Sequence, residues 1–146
     1  MIPSLIASSF SRSFTVKEPG RLMTLRPGES AVRVHEMGIQ KRYFDLIAGG
    51  RKTIEIRVDD ARRRNIEPGS LIRFNCQGDH VLTRVTEVNR YAGFEEMFDH
   101  EPVASVNPTA TRDEQLADIR QIYPPEREAL GVVAIGIELL HPSGPA

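Results

Sequence analysis

The chain has one cysteine, Cys76, in 146 residues, which excludes an intramolecular disulfide and any cysteine-based metal cluster. A reducing cytoplasm is the compartment that this usage fits. Charge of one sign is not in surplus either: the formal net charge is −1, so nothing draws the whole molecule toward polyanions, and nucleic-acid binding would need a local patch. Long apolar runs are absent too. Met1 to Phe14 is mildly apolar, but Ser8, Ser9, Ser11, Arg12 and Ser13 interrupt it, leaving neither a signal peptide nor a membrane span. His80, His100 and His141 are scattered without ligand spacing, and Asp59 and Asp60 lack a third carboxylate at a useful distance, so no metal site and no cofactor is expected. There is no internal repeat or low-complexity tract.

What is present suits one globular domain: 40% hydrophobic and 27% charged residues in a length that buries a real core. Residues 1–30 mix Ser, Pro and Gly without a period, and Met23 precedes the first patterned segment, so they are expected to form a flexible extension. The domain is expected over residues 31–141, with a tail at 142–146. Charge is uneven along it. Arg33 to Arg73 holds ten basic against six acidic residues, whereas Tyr91 to Glu128 holds three against nine, so the first half is the better ligand face.

Val32 and Val34 alternate with Arg33 and His35 as in a short half-buried strand that Met37 and Gly38 end. Ile39 to Ala48 repeats apolar residues at helical spacing, and Gly49-Gly50 stops it. Thr53 to Val58 alternates, with Ile54, Ile56 and Val58 expected inward and Glu55 and Arg57 outward on a shared face. Asp59 to Asn65 reads as a short helical turn capped by Asp59 or Asp60. Leu71 to Cys76 and Val81 to Val88 read as a hairpin across Gly78-Asp79. Phe94 to Phe98 and Asp113 to Ile122 read as helices, with a loop over Val103 to Thr111 between them. Gly131 to Leu140 is the strongest strand, expected in the sheet interior. Together these elements predict an α+β fold: a small mixed β-barrel with peripheral helices.

The segment Gly50-Arg51-Lys52-Thr53-Ile54-Glu55-Ile56-Arg57 puts a cation, an anion and a second cation at a helix exit and along one strand. Read from the residues alone, it is either a surface ion-pair ladder of little energetic weight or the wall of a polar cleft. The Gly-x-Lys-x-x-Glu-x-Arg pattern resembles the signature of the ASCH domain, of the PUA-like superfamily, as found in bacterial ASCH proteins. Phe44-x-x-Ile47-x-x-Gly50 before it, Ile66-x-Pro68-Gly69-x-Leu71-Ile72-x-Phe74 after it, Arg90-Tyr91-x-x-Phe94-Glu95-x-Met97 and Gly131-Val132-Val133-Ala134-Ile135 extend the resemblance over Val32 to Leu140.

The resemblance implies a β-barrel whose cleft, lined by the motif, takes RNA or a modified nucleoside. It also implies two hydrolytic alternatives. Some relatives are N4-acetylcytidine amidohydrolases that use the motif lysine, a threonine two residues after the next Thr, and a distant Glu. Here Lys52 matches, but position 55 is Glu, so Thr53 on the face of Glu55 is the candidate stand-in, with Glu96 or Glu101 as the distant acid. Another relative is a single-strand-specific ribonuclease. On an enzymatic reading Lys52, Glu55 and Thr53 would be catalytic, with Glu55 activating water or a ribose hydroxyl and Lys52 stabilising the oxyanion. On a binding reading, Lys52, Glu55 and Arg57 are joined by His35, Glu36, Tyr43 and Tyr91 as ligand contacts. Phe44 is expected in the core, Tyr123 ranks behind Tyr91 for the cleft, and Arg62-Arg63-Arg64 is either a phosphate clamp or a solvated face. A third partner class is a basic protein docking on the acidic stretch from Glu95 to Glu128.

Overall fold

The computed structural model describes residues 32–140; the expected N-terminal extension and the tail lie outside the described residues. In chain order the elements are β1 (Val34–Gly38), α1 (Lys41–Ala48), β2 (Ile54–Val58), a 3-10 turn (Ala61–Arg63), β3 (Leu71–Cys76), β4 (Asp79–Tyr91), α2 (Phe94–His100), α3 (Val103–Val106), α4 (Arg112–Ile122), α5 (Pro125–Glu128) and β5 (Val132–Leu139). The strands form one mixed sheet in the order β1-β3-β4-β5-β2. Only the β1 and β3 pair is parallel among them. The sheet curls into a half-barrel with its helices on the periphery, so the expected α+β small-barrel class holds.

Several boundaries move for reasons that only pairing supplies. β1 starts at Val34 and includes Met37 and Gly38, which had been expected to end it, because the strand runs in register with Leu71 to Asn75 of β3. β4 is thirteen residues long. Asp79 to Arg84 pair with β3, and Thr83 to Tyr91 run beside β5. The β3–β4 turn is Gln77-Gly78, both with positive φ (52° and 89°), which is the backbone that a two-residue hairpin demands. The loop expected over Val103 to Thr111 contains α3, and α4 starts with a capping box between Thr111 and Glu114. β5 has a neighbour on each side, as expected of the strongest strand.

One face of the sheet is covered along its length, and the other is covered over β2 and β5 but exposed on β1 and β3. One face carries Met37, Ile72, Phe74, Val81, Val85, Val133, Ile135 and Ile137 beneath Ile47 and Phe44 of α1. The other sets Ile54, Ile56, Val58, Val132 and Ala134 beneath Phe94, Met97, Phe98, Val106 and Leu116. β5, buried on both sides from Val132 to Ile137, is therefore an unbroken apolar run. The consequence for β2 corrects the expected pattern. Its isoleucines meet the helical layer, and Glu55 and Arg57, opposite Ile135 and Val133, share the face with α1 instead of pointing to solvent.

Glycine is required where the chain comes closest to itself. The β4–β5 ladder slips between Val85 and Glu87, and a Cβ on Gly136 would lie 2.6 Å from Thr86 Oγ1 and 3.0 Å from Glu87 Cγ. Gly136→Val is expected to lose about 1–3 kcal/mol by overpacking, measured by urea unfolding. Gly38→Ala, with nothing within 4 Å of the added methyl, should change the midpoint little.

Candidate functional site

Gly50 is where the site begins. Its φ of +76° lies in the left-handed region that glycine enters without strain. Its N–H donates to Ile47 O, and those of Arg51 and Lys52 to Leu46 O, so the chain leaves α1 in a closed turn and enters β2 with Lys52 turned inward. Lys52 and Glu55 are 4% and 6% exposed. The Lys52 Nζ donates to the carbonyls of Ile54 (2.7 Å) and Val106 (2.9 Å) and lies 3.3 Å from Glu55 Oε1. Every donor of that ammonium is thus taken. The other Glu55 oxygen, Oε2, accepts from Arg57 Nε at 2.6 Å, and Arg57 Nη2 donates to Gly38 O at 3.0 Å. Arg57 accordingly ties the sheet edge β2 to the opposite edge β1 across the opening of the half-barrel. Its remaining N–H groups have no partner among the described residues.

These charges set one another's ionisation. Burial opposes the charge on Glu55, but Arg57 and Lys52 outweigh it and hold the carboxyl below the usual carboxylate range. Burial pulls Lys52 below the usual lysine value despite the opposing pull of Glu55. Arg57 is also opposed by burial, yet Glu55 beside it raises its value.

A cavity of about 180 Å³ opens along the unpaired edge of β2. Lys52, Glu55, Arg57 and Ile56 form its floor, Gln40 and Tyr43 one wall, and Asn107, Gln115, Ile119, Ile122 and Tyr123 the other. α4 lines it because Gln115, Ile119 and Ile122 share a helical face. Arg42 bridges the walls, with its guanidinium 4.7 Å from the Tyr43 ring centre and 3.9 Å from Asp118.

Of the residues singled out from sequence, the structure brings Lys52, Glu55, Arg57, Tyr43 and Tyr123 to this cavity, so that Tyr123 and not the expected Tyr91 is the tyrosine of the second wall, and the others lie elsewhere. Glu36 is on the opposite face of β1 from the buried Met37, exposed and paired with Arg73 (2.9 Å) and Asn75 (2.8 Å). His35 faces the core side but is not part of the lining. Tyr91 donates its hydroxyl to Glu101 and stacks on His100, ring centres 5.5 Å apart. Burial and Glu101 push its pKa up to about 12. Thr53 is exposed and does not line the cavity. Neither Glu96, which accepts from Ala92 N, nor Glu101 lines it either. Arg62 is exposed and shares Asp60 with Arg127, whereas Arg63 is half-buried without an ion pair among the described residues. Asp60 caps the 3-10 turn through Arg62 N. No group of three or more His, Cys, Asp or Glu able to hold a metal occurs among the described residues, and no helix there is long and apolar enough to cross a membrane. Asn107 and Gln115 were missed; the signal for Gln115 was an amide on the face of α4 that also carries Ile119 and Ile122.

Against this geometry, the ASCH domain model matches residues 37–141. The chain belongs to the ASCH domain family. Among solved structures it is similar to hypothetical protein PH0355, with 39% identity over 73% of this chain and 99% of that one at a TM-score of 0.68. It is also similar to protein PF0455 from Pyrococcus furiosus, with 37% identity over 74% and 98% at 0.62. Protein EF3133 from Enterococcus faecalis V583 shares the fold at 14% identity and a TM-score of 0.56, over 80% and 88% of the two chains. No curated protein matches the sequence. In this ASCH domain the motif is therefore a buried, internally bonded cluster at a cavity edge, not a ladder on the surface.

Two predictions follow from its energetics. Glu55→Ala leaves two buried cations without their anion and should cost about 3–5 kcal/mol, whereas Glu36→Ala, in an exposed pair, should cost under about 1 kcal/mol; paired denaturant titrations compare them. The second concerns pH. Burial, with Arg33 and Arg63 nearby, lowers the His35 pKa to about 4 from 6.5. Below 6.5 the unfolded chain takes a proton that the folded chain refuses until about 4, so stability falls as pH falls through that window. His35→Gln should lose less stability than the wild type between pH 7 and pH 4.5; parallel loss in both would contradict this.

Proposed function

We propose that the cavity along β2 binds a base of RNA or of a modified nucleoside, and that it recognises this ligand without reacting with it. The observation that carries the reading is the division of labour within the motif. Lys52 and Glu55 have their hydrogen-bonding groups engaged inside the protein, while Arg57 keeps N–H groups unused at the cavity. A guanidinium with spare donors suits a phosphate or base oxygen. Tyr43 and Tyr123 offer aromatic surface for a base, and half-buried Arg63 adds positive charge beside Arg57. The ASCH family is one associated with RNA, which agrees with this chemistry.

One observation favours a second reading, an amidohydrolase acting on an acylated nucleoside: the lowered Lys52 pKa is the direction a lysine base needs. Three others weigh against it. The Lys52 ammonium has no donor left for an oxyanion, Glu55 is held too acidic for a good general base, and Thr53 lies outside the cavity lining. The same engagement of Lys52 and Glu55 weighs against a metal-independent ribonuclease. A basic protein partner is disfavoured because much of the acidic stretch is used internally. Glu96 accepts from Ala92 N, Glu114 completes the capping box of α4, Asp99 pairs with Arg112, and Glu128 pairs with Arg120.

The test is fluorescence anisotropy with a labelled single-stranded oligoribonucleotide. Arg57→Gln, confirmed folded by its melting curve, should weaken binding by about tenfold or more and flatten its salt dependence. Wild-type affinity in that variant would contradict the site. Incubation with N4-acetylcytidine should release no cytidine; turnover that Lys52→Met abolishes would establish the hydrolase instead.

A further inference from the structure

Asn107, after α3, and Gln115, on α4, are each 5% exposed, and each is explained by the fold at only one end of its amide. Asn107 Oδ1 accepts from Thr109 N at 2.9 Å and from Thr109 Oγ1 at 2.6 Å. A backbone N–H can only donate, so the oxygen is fixed there and Nδ2 points elsewhere. Gln115 is the mirror case. Its Nε2 donates to the carbonyls of Val103 (3.0 Å), Asn107 (3.0 Å) and Ala110 (3.1 Å), and carbonyls can only accept, so Oε1 is the end turned away. Neither Asn107 Nδ2 nor Gln115 Oε1 has a hydrogen-bond partner among the described residues. Buried amides are normally satisfied at both ends.

Among the described residues, the buried side-chain atoms sealed off without a partner are His35 Nε2 and Asp59 Oδ1. Asn107 Nδ2 and Gln115 Oε1 are not among them, so each borders open space, and the space that both residues line is the cavity on β2. We infer that Asn107 and Gln115 are the specificity-determining pair of this cavity, offering one fixed donor and one fixed acceptor to the hydrogen-bonding edge of an uncharged nucleobase. The inference rests on the base-binding reading above and adds to it which end of the ligand goes where. An anion would meet a carbonyl oxygen at Gln115, so phosphate belongs with Arg57 and the base edge with the α3–α4 wall. Bases present an acceptor and a donor side by side on their pairing edge, which is the complement of this pair. The pair is held rigid by the same bonds that leave its outer ends unused.

The test compares homopolymeric oligoribonucleotides of the four bases by anisotropy, with wild type and Asn107→Asp. That variant keeps the oxygen for Thr109 and replaces the outer donor with an acceptor. Wild type should separate the best from the worst homopolymer by at least about fivefold. Asn107→Asp should lose that separation, on top of a loss common to all four from the carboxylate that it brings near the phosphate site. A common loss with the separation kept, or no change, would overturn the pair's role. If the variant does not fold, wild type alone decides: methylation of the pairing edge of the preferred base should bring its oligonucleotide down to the level of the weakest, and unchanged binding would overturn the inference. Failure of wild type to bind any of the four would instead refute the base-binding reading itself.

Discussion

A carboxylate sealed between two cations governs the architecture of this ASCH domain. Glu55 accepts from Arg57 and lies against Lys52, and each cation also reaches a carbonyl on another element, Gly38 at the end of β1 and Val106 after α3. Desolvating three charges is costly, and the return comes from geometry: a saturated ammonium, a carboxylate engaged on both oxygens, and a guanidinium bonded on two sides. The net effect is a clamp. It fixes the free edge of β2 relative to the opposite sheet edge and to the helical insertion, and the space left between those parts is the cavity.

That arrangement separates engaged from free hydrogen-bonding groups within one short motif. The sequence Gly-x-Lys-x-x-Glu-x-Arg places three charges within hydrogen-bonding range, but only the last retains free donors at the cavity. The apolar wall of Ile119 and Ile122, the rings of Tyr43 and Tyr123, and the half-used amides of Asn107 and Gln115 then surround a cationic floor. Such a mixture of aromatic surface, fixed polar atoms and one accessible cation suits a neutral planar group attached to an anion. A nucleotide has that constitution.

Much of the fold was legible because it rests on local rules. Alternation gave β2, a continuous apolar run gave β5, helical spacing and Gly49-Gly50 gave α1, and the parity of β2 put Glu55 and Arg57 on one face. Parity also argues against placing His35 and Glu36 together: they are consecutive in a strand and have opposite faces, so both cannot line one cleft. Burial of the charged face was not legible, since it depends on the sheet order that makes β2 an edge and on helices that arrive forty and more residues later. The Lys52 contact to Val106, the Tyr91 hydroxyl on Glu101 and the three carbonyls on Gln115 are likewise tertiary. Gln115 itself left a trace, a polar residue interrupting the apolar face of α4 that Ile119 and Ile122 continue.

The central claim is that the clamp exists to hold a base-sized cavity beside Arg57. A two-dimensional NMR titration with a short single-stranded oligoribonucleotide examines it directly, reading backbone amides together with the Arg57 Nε–H and the side-chain amides of Asn107 and Gln115. Saturable shifts concentrated on Gln40, Tyr43, Arg57, Asn107, Gln115 and Tyr123 are the predicted result. Shifts confined to the acidic helices, or spread thinly over the surface with those residues silent, would contradict it.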